Sequence, residues 1–221
     1  EIITTERDTE GFREFVENIG KTVDILISKD FLGKAVEIMA RLRGLLETVV
    51  IPEHKEIINE IIDRAGMEER IKELMDGNKN LEETQAYLVL LNKNAIPPLL
   101  SLLGETEDRK IRKVICNALF VIGKQDIETL AKGIHDERWY LVRNVLMILG
   151  MMNDPRAVKY AKEGLRHPEP KVRREAIKTL SSIVSEEIKG PLMGALRDKN
   201  PSVRTDALKV LRKFKGEGLF G

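Results

Sequence analysis

Few side chains in this 221-residue chain are of the kinds that carry out reactions. His54, His135 and His167 are its only histidines and Cys116 its only cysteine, and none stands at metal-ligand spacing from another. His135 and His167 fall in short turns, where a histidine caps a backbone group or meets solvent. Cys116 occupies a position that recurs as Leu146, Ile177 and Leu208, so it reads as a small buried hydrophobe. No glycine-rich phosphate loop is present, and Gly104 and Gly123 follow apolar stretches as helix stops. Acidic residues are plentiful, but no pair is set apart from the solvated surface. These residues predict no catalytic centre, no metal site and no cofactor.

Recognition chemistry is better represented. Lys113 and Asn117, Arg143 and Met147, Arg174 and Lys178, Thr205 and Lys209 recur at steps of 30, 31 and 31, and the residues just before them are Arg112, Val142, Arg173 and Arg204. A row of cations suits an acidic segment of a partner protein. One member of the series departs toward apolar character. Trp139 and Tyr140 stand where the others have Arg109 and Lys110, Pro170 and Lys171, or Pro201 and Ser202; Val142 replaces an arginine, Met147 replaces Asn or Lys, and Met151 stands where Ser182 and Lys213 stand. Tryptophan and tyrosine are favoured interface anchors. The candidate partner-binding set is therefore Trp139, Tyr140, Val142, Arg143, Met147, Arg173, Arg174, Lys178 and Lys209. The same residues also admit a plainer reading: a charged, solvated face, with Trp139 packed into the turn between neighbouring helix pairs.

The elements that hold these residues follow from two interleaved apolar series. Leu99, Leu130, Ala161 and Leu192 form one, with steps of 31, and Leu119, Leu149, Leu180 and Leu211 form the other, with steps of 30, 31 and 31. Two series sharing one period mean a tandem array of helix pairs. From Ala95 the pairs are clear. Ile96-Pro97-Pro98, Asp126-Ile127, Asp154-Pro155 and Ser185 to Ile188 open their first helices. The turns Asp136-Glu137-Arg138, His167 to Pro170 and Asp198 to Pro201 are short enough to force antiparallel partners. Further upstream, Phe12, Val16, Ile19, Val23 and Leu26 make the stripe of a longer amphipathic helix. Asp30 is expected to cap the next, Leu32 to Val49, and Ile51-Pro52 to end it. Ile57, Ile58, Ile61 and Ile62, then Met67 to Met75 and Leu81 to Leu91, complete a less regular stretch, with Leu88 lying 31 before Leu119. The reading divides the chain into a connector and capping helix over 1–30, divergent repeats over 31–94 and regular repeats over 95–221, forming one continuous array.

Composition fits an aliphatic interior: 42% of residues are hydrophobic and only 5% aromatic. One cysteine excludes an internal disulfide and matches a reducing, cytoplasmic setting. No apolar run approaches the ~20 residues that span a bilayer. Glu1 is no initiator, and the chain reads as a piece of a longer protein. Net charge is +1, but 1–105 holds 13 Lys/Arg against 21 Asp/Glu, −8, while 106–215 holds 24 against 14, +10. Such asymmetry steers an anionic partner toward one end.

The stretch from Leu196 to Leu211, together with His167 to Ala176 and Leu149 to Ala157, resembles the HEAT repeats of bacterial proteins, a group that includes the short repeats of phycobilin-lyase-like proteins. The resemblance covers 95–215 well and 31–94 weakly. It implies an all-α fold, a right-handed α-α superhelix of about six helix pairs after an N-terminal helix, with second helices on the concave surface. It also implies a ladder in which Arg112, Arg173 and Arg204 meet acids such as Asp136 and Asp198 in neighbouring turns, interrupted where Val142 and His167 replace its members. The function it implies is a non-catalytic protein-binding scaffold whose basic concave ridge takes a partner, with nucleic acid a weaker fit to a nearly neutral chain. Two other classes share the architecture. A DNA-repair protein of the alkylated-base glycosylase type would need a carboxylate among aromatics in a basic groove, for which Asp136, Trp139, Tyr140 and Arg143 are the only local approximation. A lyase-like tetrapyrrole chaperone follows from the family analogy alone.

Overall fold

A computed structural model describes residues 8–77, 80–183 and 186–216, and among them there are helices and no strands. The chain divides into two compact units, Glu1–Gln125 and Asp126–Gly221. The division lies inside the stretch that the sequence reads as regular repeats.

In the first unit α1 spans Thr9–Ser28, α2 Leu32–Thr48, α3 Pro52–Ala65, α4 Glu68–Gly77, α5 Leu81–Leu88, α6 Ile96–Glu105 and α7 Arg109–Ile122. Helix α1 packs on α2 and α3, and α2, α5 and α7 follow one another side by side. The Asp8 carboxylate accepts the Glu10 amide at the start of α1, and Pro52 sits in the first turn of α3. Asp30 differs from expectation. It lies at φ 63, and the Phe31 amide reaches back to the Leu26 carbonyl at 2.8 Å. Asp30 therefore closes α1 in a left-handed turn instead of capping α2. Ser185, expected to open a first helix, lies outside the described residues.

Among the described residues of this unit, the buried side chains of His54 and Tyr87 make no hydrogen bond. His54 is 0% exposed and stacks on Phe12, with ring centroids 3.8 Å apart, and neither of its ring nitrogens is bonded. The Tyr87 hydroxyl is likewise buried and unbonded, and burial pushes its pKa above the ordinary phenol value. Tyr87→Phe removes only that hydroxyl, so its urea midpoint at neutral pH should rise by about 1 kcal/mol of stability. The folded phenol keeps its proton where an unfolded one ionises. Wild type should consequently lose stability as pH climbs past about 10, and Tyr87→Phe should lose less. A lower midpoint for Tyr87→Phe would mean that the hydroxyl is bonded in solution.

In the second unit α8 spans Ile127–Ala131 and continues into the 3-10 turn Lys132–His135. Helix α9 spans Trp139–Met152, α10 Ala157–Gly164, α11 Pro170–Ser182, α12 Lys189–Ala195 and α13 Pro201–Gly216. The first helices are short, and the second helices α9, α11 and α13 pack side by side. Leu141, Leu146, Leu149, Val172, Ile177 and Leu180 are all at most 1% exposed, which is the apolar series read from the sequence. Asp126 and Asn200 cap α8 and α13 through their side chains, and Glu169 accepts the Lys171 amide at the head of α11. Among the described residues no helix is long and apolar enough to cross a membrane.

Candidate functional site

Three helices of the second unit present parallel lanes of side chains. Spacings of three and four place Tyr140, Arg143, Met147 and Met151 on one stripe of α9, Lys171, Arg174, Lys178 and Ser182 on one stripe of α11, and Ser202, Thr205, Lys209 and Lys213 on one stripe of α13. Every one of these residues is exposed or half-buried. Tyr140 and Met151 are 37% and 50% exposed, large apolar groups open to solvent at the two ends of the α9 lane. An apolar lane thus adjoins a basic lane, with a second lysine-bearing lane beyond it.

The lanes bring together seven of the nine candidate residues at or beside the face and exclude two. Val142 is 1% exposed and Arg173 4%, so neither offers a partner its side chain. The position one after the repeat apolar residue is buried at Val142 and Arg173, half-buried at Arg112 and exposed at Arg204. Val142 is an apolar residue in that buried place, whereas the long Arg173 side chain carries its charged head to the turn ahead of α11. Its guanidinium donates to the Asp198 carboxylate at 2.7 and 2.8 Å and to the carbonyls of His167 and Pro168 at 2.9 and 2.8 Å.

Arg173–Asp198 is the expected ladder contact between an arginine and a neighbouring turn. Its guanidinium holds the Asp198 carboxyl below the usual carboxylate range. Arg112 and Arg204 each donate to carbonyls of their own turns, Thr106 and Asp198 respectively at 2.9 and 2.8 Å. Asp136 pairs with Arg138 in its own turn, through two bonds of 2.8 and 2.9 Å, and this neighbour depresses its pKa. A carboxylate so tied is poorly placed to act as the free base that a glycosylase centre requires. His167 is a capping residue, its Nδ1 accepting the Glu169 amide at 3.0 Å.

The basic lane is partly neutralised by two acids that the sequence reading passed over. Arg174 donates to Asp206 at 2.7 Å, Lys178 to Glu175 at 3.1 Å, and Arg143 lies 4.0 Å from Glu175. The signal was available: residues one period plus one apart, 143 and 175 or 174 and 206, meet across adjacent second helices. Lys209 and Lys213 are exposed beyond these pairs. Trp139 is half-buried; the Lys171 ammonium sits 4.7 Å from its ring centroid and the Tyr140 ring meets it edge-on at 5.9 Å. It therefore links α9 to the first turn of α11. Among the described residues, no three His, Cys, Asp or Glu side chains converge as metal ligands.

A family model described as HEAT repeats matches residues 96–168 and 159–219. Among solved structures, human deoxyhypusine hydroxylase in complex with glycerol is similar at 16% identity over 96% of this chain and 82% of that one, with a TM-score of 0.45. A designed armadillo repeat protein in complex with the peptide (KR)4 aligns at 16% identity over 96% of both chains, TM-score 0.39. The complex of CpcE and CpcF of phycocyanin lyase from Nostoc sp. PCC7120 aligns at 16% identity over 96% of this chain and 85% of that one, TM-score 0.35. No curated protein matches in sequence. None of these likenesses reaches a TM-score of 0.5, and the assignment rests on the family match.

Proposed function

As the chain belongs to the HEAT-repeat family, we propose that it is a non-catalytic interaction scaffold whose second unit binds an acidic protein segment carrying apolar anchors across α9, α11 and α13. The observation that carries this reading is the adjacency of the Tyr140–Met147–Met151 lane to the lanes of Lys171, Arg174, Lys178, Lys209 and Lys213. Apolar residues of the partner lie along α9, and its carboxylates face the ammonium groups. Glu175 and Asp206 hold part of the cationic charge in place, so the face is moderately basic and disfavours the dense charge of a nucleic acid backbone.

Affinity then has an apolar part and a charged part. The charged part weakens with salt, because exposed charges are screened within ~8 Å at physiological ionic strength. A labelled synthetic peptide with leucine and phenylalanine interspersed among glutamate and aspartate is the probe, read by fluorescence anisotropy. Met147→Lys restores the character of the sibling positions and should weaken binding about tenfold, with little effect on packing. Lys178→Glu combined with Lys209→Glu leaves the Arg174–Asp206 pair intact and should slow association, most at low salt. If both variants stay folded and bind as wild type does, the face is only a solvated surface; if duplex DNA binds as tightly as the peptide, the face does not select an acidic protein segment.

A further inference from the structure

On the α9, α11 and α13 face the lanes differ in whether their charges are already engaged. Every cation of the middle lane has a partner. The Lys171 ammonium lies 4.7 Å from the Trp139 ring centroid, Arg174 donates to Asp206 at 2.7 Å and Lys178 to Glu175 at 3.1 Å. The two acids are set into the surface, with side chains only 12% exposed at Glu175 and 18% at Asp206, so salt screens these pairs less than it would open ones. Glu175 also lies 4.0 Å from Arg143 of α9, which puts a fixed negative charge on the seam between the apolar lane and the middle one. Lys209 and Lys213 on α13 are exposed, and among the described residues neither has an acidic partner. The apolar anchors and the unengaged cations therefore stand on the two outer helices, with a neutralised helix between them.

Resting on the acidic-segment reading above, we propose that the partner's recognition segment is extended, crosses the three helices, and carries its apolar and its acidic residues in separate blocks centred about five or six positions apart. The spacing follows from packing. Neighbouring helices lie about 8–10 Å apart, so α9 and α13 are separated by roughly 18 Å, which an extended chain spans in about five or six residues at about 3.3 Å each. A partner helix laid along α9 is about 10–12 Å across and falls short of Lys209 and Lys213. Its acidic side would meet Glu175 instead, and like charges brought together at an interface exclude a partner. Glu175 is thus the residue that selects blocks over an interspersed pattern.

Fluorescence anisotropy of three labelled peptides of one composition on the full chain tests this. In the first, leucine and phenylalanine are interspersed among glutamate and aspartate. The second joins an apolar block to an acidic block through a glycine-serine spacer that centres them about six residues apart, and the third carries the same blocks in reverse order. The better of the two block peptides should bind wild type about tenfold more tightly than the interspersed one. Lys209→Glu with Lys213→Glu, both at exposed positions, should remove that advantage. Glu175→Gln keeps the size of the side chain and releases Lys178 and Arg143, so it should tighten the interspersed peptide several-fold and leave the block peptide nearly unchanged. Should Glu175→Gln melt early, the wild-type comparison and the α13 variant decide alone. Equal binding of interspersed and block peptides to wild type, an advantage that survives the double charge reversal, or a folded Glu175→Gln that leaves the interspersed peptide unimproved overturns the proposal, and the acidic-segment reading still stands. If no peptide binds, both fall.

Discussion

Asp198→Ala is expected to lower the stability of the second unit by about 3 kcal/mol. Asp198 accepts two bonds from a guanidinium whose side chain is only 5% exposed and a third from the Asn200 amide at 2.7 Å. Truncation leaves a nearly buried cation with two N–H groups unbonded, and it loosens the turn that starts α13. Breaking a buried pair by removing one partner costs far more than the pair contributes over an apolar replacement. Arg173→Met added to Asp198→Ala should accordingly recover part of the loss, and urea melts of the four members of the cycle measure it. Arg204→Ala is the contrast: it removes an exposed arginine bound to its own turn, and should cost about 1 kcal/mol. A dependence on acid follows from the same contact. The folded carboxyl titrates below its unfolded value, so the stabilisation is complete above about pH 4 and is lost as pH falls through the depressed value. Equal losses from Asp198→Ala and Arg204→Ala would show that the pair is not buried in solution.

Gly150→Leu is expected to be nearly as damaging, at about 3 kcal/mol. A β-carbon at this position on α9 would lie 3.2 Å from the Thr179 α-carbon and 3.2 Å from its hydroxyl, so the obstacle is the backbone of α11, which cannot move alone. The two helices are this close because Thr179 donates to the Leu146 carbonyl at 2.7 Å and Ser182 to the Gly150 carbonyl at 2.9 Å. Forcing them apart breaks both bonds and opens the seam beneath the Met147 lane. Gly150→Ala should be mild by comparison, since the gain in helix propensity offsets a tight contact. A thermal melt of Gly150→Leu within a degree of wild type would refute the close approach.

Much of this architecture was legible because the period acts on large aliphatic residues. Leu119, Leu149 and Leu180 recur in register and are each 0% exposed. The Arg173–Asp198 contact was legible through the family pattern. The burial of Val142 was not legible because the residue that follows the repeat apolar position is buried in some units and open in others: Val142 is 1% exposed, whereas Arg204 is exposed. The cross-helix pairings Arg143–Glu175 and Arg174–Asp206 are hard to read from a single repeat because the partners lie one period plus one residue apart, on adjacent helices. Asp30 suits either role by type: an acid favours an N-cap, and asparagine and aspartate also tolerate the left-handed conformation that closes a helix, which is the one Asp30 adopts. Gly150 gave no warning, since the closeness it permits depends on hydrogen bonds from Thr179 and Ser182, which recur at no fixed step.

Trp139 gives the most direct report on recognition. It is the only tryptophan, it stands at the head of the α9 lane, and its emission is sensitive to Lys171 and Tyr140 beside it. Titrating the unlabelled acidic and apolar peptide into wild-type protein should produce a saturable change in that emission. The midpoint should move to higher peptide concentration as salt rises from about 50 to about 500 mM, and the same peptide with lysine in place of its acids should produce no change. A peptide that binds by anisotropy while leaving Trp139 unaltered, or a lysine peptide that shifts it equally, would contradict recognition on the α9, α11 and α13 face.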